Sequence, residues 1–282
     1  MKILVTGAGG FIGSRLALKL AESGAEVRAM VRSKKSIFLQ HPNIEIVQGE
    51  ILDKKSLENA MSGCTQVYHL AAMEQIWAKQ PKIFYDVNVG GCESVIEIGN
   101  KVGVKKFVVT STAGTIGPST NGKPVTENQK RDAAFHDHYE ISKLQSEGRI
   151  IQQMKNGFDI VIVNPTRCFG PGVFTTGNTI TKIISNYIKG KWKFKLMDGN
   201  EIGNYVFVDD VAIGHILAMK NGKSGERYIL GGENSTFNEF MGIVSEVSGV
   251  KTRLIKIPFW ALASFAKYSD FMSKFGIEPK AT

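Results

Sequence analysis

Long apolar runs are missing from the sequence, because no stretch approaches the roughly 18 consecutive apolar residues that a membrane-spanning helix needs. The opening segment MKILVTG has one lysine and a short apolar run, which is too brief for the core of a secretory signal. Cysteine is scarce, since only Cys64, Cys92 and Cys168 occur and none forms a CxxC pair. These absences predict a reduced, cytoplasmic chain without a membrane span, a disulfide framework or a zinc site.

Acidic residues are outnumbered, with 26 Asp and Glu against 35 Lys and Arg, which gives a net charge of +9. The most basic stretch is KGKWKFK (189–195), in which Trp192 and Phe194 interleave with lysines as in platforms that bind single strands. The same stretch is typical of a strand or loop with lysines facing water, or of a patch that attracts an anionic small molecule. We favour the solvated strand or loop, and we expect no nucleic-acid partner.

The first 165 residues alternate between short, often β-branched apolar segments and amphipathic segments with helical spacing. The predicted strands are 2–6, 26–32, 44–47, 66–70, 106–111 and 159–164, and the predicted helices are 11–23, 57–61, 83–102 and 139–156. This alternation predicts right-handed βαβ crossovers and a Rossmann-type, doubly wound parallel sheet of the α/β class.

After residue 165 the pattern loosens at PTRCFGPG (165–172), where prolines and glycines indicate a junction. The predicted elements that follow are a helix at 178–189, a strand at 205–208, a helix from 210, a strand at 227–230 and a helix at 236–248. We therefore divide the chain into a first domain, 1–165, and a smaller lobe, 166–282, with some later segments returning to the first domain.

A glycine-rich turn joins the first strand to the first helix, since TGAGGFIG places Gly7, Gly10 and Gly13 at three-residue intervals. Small residues let the backbone approach a diphosphate, and the helix N-terminus supplies N–H groups and partial positive charge. Because the three glycines lie between a strand and an amphipathic helix, their spacing indicates a phosphate-binding turn and not merely a tight connection. Domain 1–165 is therefore predicted to bind a dinucleotide, and lobe 166–282 mainly the substrate.

The end of the second predicted strand distinguishes the two pyridine dinucleotides. An acidic residue there usually holds the adenosine ribose of NAD. The sequence has instead AMVRSKKS, with Arg32 followed by Ser33, Lys34 and Lys35. A guanidinium binds a 2′-phosphate that a carboxylate would repel. The predicted cofactor is therefore NADP(H), with NAD as the alternative.

Motifs along the chain resemble those of extended short-chain dehydrogenase/reductases, in the NAD-dependent epimerase/dehydratase superfamily. They stand in the family's order: TGAGGFIG, GEILD (49–53), HLAA (69–72), NVGG (88–91), TSTAG (110–114) and YEISK (139–143). Glu50 replaces the family's usual Asp, and Gly91 its usual Thr. Other segments are most similar to the dihydroflavonol-reductase-like branch, which includes hopanoid-associated sugar epimerases; they are IWAKQP (76–81), NPTRCFGPG (164–172), VFVDDVAIGHILA (206–218) and ERYILGGEN (226–234).

The resemblance implies cofactor contacts at the glycine turn, after the second strand, at the adenine neighbours and at the ends of later strands. The implied residues are Gly7, Gly10, Phe11, Ile12, Gly13, Arg32, Lys35, Glu50, Ile51, Leu70, Ala71, Ala72, Thr110, Tyr139, Lys143, Pro165 and Arg167. Candidates for the substrate pocket by position are Met73, Trp77, Thr115, Arg167, Phe169 and Thr175. The resemblance also implies a homodimer through helices 83–102 and 139–156. Related chains usually continue beyond FGIEPKAT (275–282), so we expect a lobe that is naturally short or truncated.

Tyr139 and Lys143 stand four residues apart, so a helix presents the phenol and the ammonium on one face. A phenol has an ordinary pKa of about 10, and the lysine and a positive nicotinamide ring are expected to lower that pKa. By the resemblance, Lys143 also binds the nicotinamide ribose, Thr112 holds the substrate oxygen, and Tyr139 is the general acid in reduction and the base in the reverse direction.

Two neighbouring motifs have simpler interpretations than metal or acid chemistry. His136, Asp137 and His138 resemble a metal cluster, but we favour a helix start with Asp137 as N-cap and expect no metal. The paired acids Asp209 and Asp210 are interpreted as a helix cap that interacts with the helix dipole.

The choice of reaction depends on the residues around Thr112 and Arg32. Related sugar dehydratases usually follow the active threonine with an Asp-Glu pair, whereas Ala113 and Gly114 follow here, so dehydration is disfavoured. Reduction of a ketone to a secondary alcohol fits the basic residues at the second strand. Epimerisation of a nucleotide sugar with tightly held NAD is the alternative. A non-catalytic dinucleotide sensor is the second alternative, disfavoured because Tyr139 and Lys143 are both present.

Overall fold

Twelve strands lie within the part of the chain that the computed structural model describes, which is residues 1–33, 39–75, 77–120, 122–135, 137–154, 157–175, 177–261 and 264. They are β1 (Lys2–Thr6), β2 (Glu26–Val31), β3 (Ile44–Gln48), β4 (Gln66–His69), β5 (Lys106–Thr110), β6 (Ile160–Pro165), β7 (Arg167–Phe169), β8 (Phe194–Leu196), β9 (Ile202–Phe207), β10 (Arg227–Leu230), β11 (Glu233–Thr236) and β12 (Ile255–Ile257). Seven of them form one sheet in the order β10-β6-β5-β4-β1-β2-β3, and every pairing in it is parallel. The predicted Rossmann-type α/β class is confirmed.

Helices cover both faces of this sheet. They are α1 (Phe11–Glu22), α2 (Lys54–Met61), α3 (Lys82–Tyr85), α4 (Gly91–Lys101), α5 (His138–Met154), α6 (Thr179–Ile188), α7 (Val208–Asn221) and α8 (Phe237–Ser248). Ile3 and Val5 of β1 pack with α1 and α7 on one face, whereas Leu4 packs with α2, α4 and α5 on the other. Strands that are apolar on both sides therefore explain why the sequence shows nearly continuous apolar runs.

The predicted helix at 83–102 is interrupted in the structure. A π-helical turn, Asp86–Gly90, separates α3 from α4. Asn88 in this turn is buried, accepts the N–H of Met73 at 2.7 Å and donates to Ser142 Oγ at 2.8 Å. The side chain of Asn88 thus links the segment after β4 to α5. Apolar spacing alone did not reveal this wider turn.

The smaller lobe is built from short strands and aromatic packing. A three-stranded sheet has the order β11-β9-β7, and β8 pairs with β12. The lobe core consists of four buried residues among those described, Tyr187, Tyr205, Phe240 and Met241. The prediction found part of β9 and missed β7, β8, β11 and β12, because three- and four-residue strands with half-exposed side chains carry little periodic signal.

Two segments after residue 165 lie with the large sheet. Strand β10 pairs with β6, and α7 packs against α1. A return of later segments to the first domain was expected, and the boundary at residue 165 stays a prediction. Helix α7 begins at Val208, two residues before the predicted start.

Some predictions fall on residues outside those described. They concern Lys34, Lys35, His136, the end of the predicted helix at 155–156, and the segment 275–282. Among the described helices, none has the length and apolar character required to span a bilayer.

Candidate active site

The glycine turn after β1 is closely packed against the strand beside it. Gly7 has a φ of +68°, and a Cβ on it would lie 2.6 Å from the backbone nitrogen of Ala71. A Cβ on Gly13 would lie 2.2 Å from the Gly7 carbonyl oxygen. Helix α1 follows with Gly10 at its N-cap, no side-chain cap and no acid in its first turn. Its first N–H groups therefore remain available for an anion such as a diphosphate.

Helix α5 positions the tyrosine and the lysine. Its start is set by Asp137, whose carboxylate accepts the Glu140 N–H at 2.7 Å, as the predicted N-cap requires. Tyr139 is half-buried in the first turn, and Lys143 is buried one turn later. The ammonium of Lys143 donates to the Thr110 carbonyl at 2.5 Å. The helix thus holds the lysine against the end of β5.

Thr110 is itself fixed by a buried histidine of α7. Thr110 Oγ1 lies 2.8 Å from His215 Nε2, and His215 Nδ1 lies 2.7 Å from the Val211 carbonyl. Burial lowers the pKa of His215 to about 4, so the ring is neutral. Its Nδ1 then donates to the carbonyl, and its Nε2 accepts the Thr110 hydroxyl proton.

Thr112 follows β5 in an extended conformation and begins a short 3₁₀ turn, Ala113–Thr115. Its Oγ1 accepts the Gly114 N–H at 3.2 Å. Because that bond uses the oxygen as an acceptor, the hydroxyl proton of Thr112 remains free to be donated. Thr112 thus offers a hydrogen-bond donor at the end of the sheet.

A cleft of about 460 Å³ opens between the glycine turn and Tyr139, at the carboxyl ends of the parallel strands. Many of the residues predicted for the site line this cleft: Gly7, Gly10, Phe11, Ile12, Gly13, Leu70, Ala72, Thr110, Thr112, Tyr139, Lys143, Pro165, Arg167 and Thr175. The fold therefore brings six separate stretches of sequence around one space.

Other predicted cofactor residues lie away from the cleft wall. Arg32 is exposed beyond β2, and Lys35 lies outside the described residues. The Glu50 carboxylate accepts the N–H of Ile51 at 2.9 Å, and Ile51 is buried against Gly91. A Cβ on Gly91 would lie 2.7 Å from Ile51 Cδ1, so a larger side chain at this position would displace Ile51.

Ala71 and four of the substrate candidates are not among the residues that line the cleft. Ala71 supports the glycine turn from behind and donates its N–H to Thr6 Oγ1 at 3.2 Å. Met73 is held by Asn88, and Trp77 is partly buried outside the cleft wall. Thr115 is buried in a hydrogen-bond network, and Phe169 packs edge-on against Phe207 and Phe240. Ala71 and Met73 make these hydrogen bonds through their backbone, whereas Thr115 and Phe169 contribute through their side chains to hydrogen bonding and packing within the protein.

Sequence reasoning missed several residues of the cleft wall. They are Glu74, Ser111, Thr166, Cys168, Gly177, Thr179 and Ile180. A Cβ on Gly177 would lie 2.6 Å from Glu74 Oε2, so this glycine leaves room for the carboxylate. Glu74 and Ser111 are within two residues of predicted positions and could have been found by extending each motif. Thr166, Cys168 and Gly177 also lie within two residues of predicted positions, whereas Thr179 and Ile180 belong to the predicted helix at 178–189, whose spacing gives no sign that it lines the cleft.

The electrostatics of Tyr139 and Lys143 differ from the expectation. Burial raises the pKa of Tyr139, and the carboxylate of Glu74 raises it further. Burial also lowers the pKa of Lys143. Burial raises the pKa of Cys168, on the same wall, to about 12. The chain by itself therefore favours the neutral phenol, and the expected lowering of the Tyr139 pKa by Lys143 is not found, because burial and nearby carboxylates set the direction of the shift.

The histidine-rich motif ending at His138 and the acidic motif VDD at 208–210 make contacts within the protein. His138 Nδ1 lies 2.8 Å from the Tyr85 hydroxyl, and within the described residues no three His, Cys, Asp or Glu side chains group as metal ligands would. The interpretation of VDD is wrong about the cap, because Phe207 occupies the N-cap of α7, but Asp209 and Asp210 do lie in the first turn, where carboxylates interact favourably with the helix dipole. Asp209 also pairs with Arg15 at 2.6 Å and Lys19 at 3.2 Å, which joins α7 to α1.

The basic stretch at 189–195 belongs to the lobe. Trp192 packs against the lobe core, and Phe194 of β8 is half-exposed. Of the two aromatic side chains in this stretch, Trp192 therefore helps to fill the lobe core. The stretch contains a strand, as the favoured interpretation requires.

Comparisons with known proteins agree with this architecture. The family model described as NAD dependent epimerase/dehydratase family matches residues 3–231. A Synechocystis sp. protein provisionally named dihydroflavonol 4-reductase is 33% identical over 93% of this chain and 77% of its own length. Sterol demethylase protein B of Methylococcus capsulatus is 29% identical over 96% of this chain and 81% of its own.

A solved structure shares the fold over most of the chain. The UDP-glucose 4-epimerase of Thermotoga maritima, determined with UDP-glucose, is 26% identical and superposes with a TM-score of 0.82 over 92% of this chain and 86% of its own. The motifs, the parallel sheet and these likenesses lead to one assignment. The chain belongs to the NAD dependent epimerase/dehydratase family and is an NAD(P)-dependent enzyme of the extended short-chain dehydrogenase/reductase type.

Proposed function

We propose that the protein is an NADP(H)-dependent oxidoreductase that interconverts a ketone and a secondary alcohol. The observation that carries this proposal is that the candidate catalytic side chains and the glycine turn line the same cleft. Tyr139, Lys143 and Thr112 line the same space as the glycine turn. A dinucleotide held at that turn and a carbonyl compound beside Tyr139 therefore occupy one cleft.

Each of the three side chains has a distinct task in this proposal. The free hydroxyl proton of Thr112 binds and orients the carbonyl oxygen. Tyr139 donates its phenolic proton to that oxygen during reduction and takes it back during oxidation. Lys143 is fixed by the Thr110 carbonyl and stabilises the phenolate that remains. When bound, the dinucleotide supplies or accepts the hydride.

The raised pKa of Tyr139 supports the reducing direction. A phenol with a raised pKa keeps its proton at neutral pH, which is the form that a general acid needs. Oxidation of an alcohol needs the deprotonated phenol, so its rate should rise with pH. The electrostatics of the chain thus fit a ketone reductase that works near neutral pH.

The choice of NADP(H) over NAD is part of the proposal. The glycine turn fits a diphosphate, because Gly7 and Gly13 leave no space for a Cβ and the N-terminus of α1 is open. Arg32 is exposed where a ribose 2′-phosphate would be bound, and no carboxylate stands beside it in the sequence. This arrangement supports NADP(H).

A nucleotide-sugar epimerase with NAD is the second candidate. It is favoured by the likeness to a UDP-glucose 4-epimerase structure. Against it stands Glu74 on the cleft wall, since a carboxylate repels a nucleotide diphosphate. NAD that stays bound through purification would favour the epimerase.

The test is consumption of NADPH by the purified protein with a panel of ketones, including flavanonols, steroid ketones and simple aryl ketones. The Tyr139→Phe variant should lose about a thousandfold in turnover while its NADPH affinity is retained. The matched control is Tyr228→Phe, which removes a phenolic hydroxyl that accepts the Lys223 N–H away from the cleft. Equal turnover of wild type and Tyr139→Phe would refute the proposed mechanism.

We also propose a homodimer that pairs through α3 and α5. Ile83, Leu144 and Ile151 on these helices are 41%, 36% and 41% exposed. Light scattering should give twice the chain mass for wild type and the single mass for Leu144→Lys. Leu217→Lys, at a 51% exposed position of α7, is the control and should stay dimeric. A cytoplasmic location stays a prediction from the cysteine pattern.

A further inference from the structure

Behind the cleft wall lies a buried carboxylate without a role in the proposed chemistry. Glu147 is on α5, one turn after Lys143, and only 2% of its surface is exposed. A buried carboxylate is costly unless hydrogen bonds and a counter-charge compensate it. The contacts of Glu147 therefore indicate what it holds in place.

Three donors converge on one oxygen of this carboxylate. Oε1 accepts from the Ser111 hydroxyl, from Thr115 Oγ1 at 2.8 Å and from Asn164 Nδ2 at 3.0 Å. The other oxygen faces Arg227 Nη1 of β10 at 3.4 Å. Oε2 has no hydrogen-bond partner in the described part of the chain and meets only this guanidinium, so an amide nitrogen in its place would face a positive charge.

The same donors surround Thr112. The Thr112 carbonyl accepts from Asn164 Nδ2 at 3.0 Å and lies 2.9 Å from Thr115 Oγ1, the hydroxyl that donates to Glu147. Ser111 directly precedes Thr112, and its N–H donates to the Val163 carbonyl at 2.7 Å. The backbone of Thr112 is therefore held by side chains that Glu147 orients.

We propose that Glu147 is a positioning residue, which fixes the Thr112 hydroxyl towards the cleft through Ser111, Thr115 and Asn164. This inference rests on the proposed function, because it assumes that Thr112 binds the substrate oxygen. Glu147 itself touches neither substrate nor cofactor. Its charge keeps the 3₁₀ turn in one arrangement, so that binding a carbonyl compound requires no reordering of the turn.

The first experiment needs neither substrate nor cofactor. Amide hydrogen exchange across residues 110–117 is compared in wild type, Glu147→Gln and Ile150→Val. Ile150→Val changes a buried residue of the same helix that packs in the core and is the control for lost stability. We expect the Gly114 and Thr115 amides to exchange at least about tenfold faster in Glu147→Gln and unchanged in Ile150→Val. Equal exchange in all three proteins would overturn the inference.

The second experiment is a double-mutant cycle on turnover of a ketone that wild type reduces. Glu147→Gln should lower kcat about tenfold with an unchanged KM for NADPH. In a Thr112→Ala background the same change should cost less than about twofold, because the group that Glu147 positions is gone. Additive losses would overturn the inference.

The two experiments separate the two proposals. If wild type reduces none of the ketones in the panel, the proposed function fails, and hydrogen exchange still decides whether Glu147 orders the turn. If wild type is active and Glu147→Gln is equally active, only the positioning role fails.

Discussion

The large sheet and the smaller lobe differ in how they are packed. On each side of the sheet lies an extensive buried cluster, to which alternate residues of the strands contribute. In the lobe, the core is a small group of aromatic side chains, with Tyr205 and Phe240 stacked at 4.1 Å between ring centroids. Large apolar side chains of the lobe also remain exposed, among them Ile202 at 72% and Val247 at 84%.

The difference in packing between the sheet and the lobe corresponds to a difference in what each contributes to the cleft. The sheet holds backbone groups at fixed positions, as the glycine turn needs. The lobe contributes one side of the cleft through residues such as Thr175, Thr179 and Ile180. Because packing in the sheet is dense, small changes there should affect dinucleotide binding. Changes in the lobe should affect stability and substrate choice and leave the dinucleotide site intact.

The largest expected effect is at the glycine turn of the sheet. In Gly13→Ala the new Cβ meets the Gly7 carbonyl oxygen at 2.2 Å, so the turn must shift. NADPH binding should weaken by about a hundredfold, or about 3 kcal/mol, in a fluorescence titration. Gly148→Ala is the control, because that exposed glycine of α5 has no neighbour within 4 Å of a Cβ. Full affinity in Gly13→Ala would show that the turn is less rigid than the packing indicates.

Two phenylalanines test whether the regions are separable. Phe240→Ala removes a ring of the lobe core and should cost about 3 kcal/mol in urea unfolding, with NADPH affinity kept within about twofold. Phe107→Ala, in the sheet, should cost as much and also weaken NADPH binding, because β5 carries Thr110 at its end. If both variants lost NADPH binding equally, the two regions would form one unit.

A third prediction concerns the edge of the dinucleotide site. Arg32→Ala should weaken NADPH binding about tenfold and leave NADH binding unchanged, because the proposed cofactor site assigns the guanidinium to the additional phosphate alone. Arg253→Ala removes an exposed arginine of the lobe and is the control for lost positive charge. A parallel loss for NADPH and NADH would argue against the proposed choice of cofactor.

The smallest expected effect is at the ion pair that joins α7 to α1 on one face of the large sheet. The Arg15 guanidinium bonded to Asp209 lowers the pKa of that carboxyl below its ordinary value of 3.8. Stability from this pair is therefore present above that value and lost as pH falls through the lowered pKa. Between about pH 5 and pH 2, wild type should lose about 1 kcal/mol more than Asp209→Asn in urea unfolding. Parallel pH profiles would mean that the pair contributes no stability.

The sequence predicted the sheet well because each strand is a short apolar run between helical segments. Boundaries moved by one or two residues, as at the end of β2, which stops at Val31. The helix at 83–102 was predicted without its π turn, since Asn88 is held there by Met73 and Ser142 from other elements. Short strands of the lobe were missed because three or four residues with partly exposed side chains carry little periodic signal.

The sequence by itself determined the glycine turn, the alternation of strand and helix, and the i, i+4 placement of Tyr139 and Lys143. These features follow from neighbours within a few residues, where backbone geometry alone decides which side chains meet. Only the tertiary structure brought Glu74 beside Gly177 and joined Glu147 to Asn164 and Arg227. It also decided that burial raises the pKa of Tyr139. Such contacts join segments far apart in the chain, and desolvation depends on everything packed around a group, so neither is encoded in a local pattern.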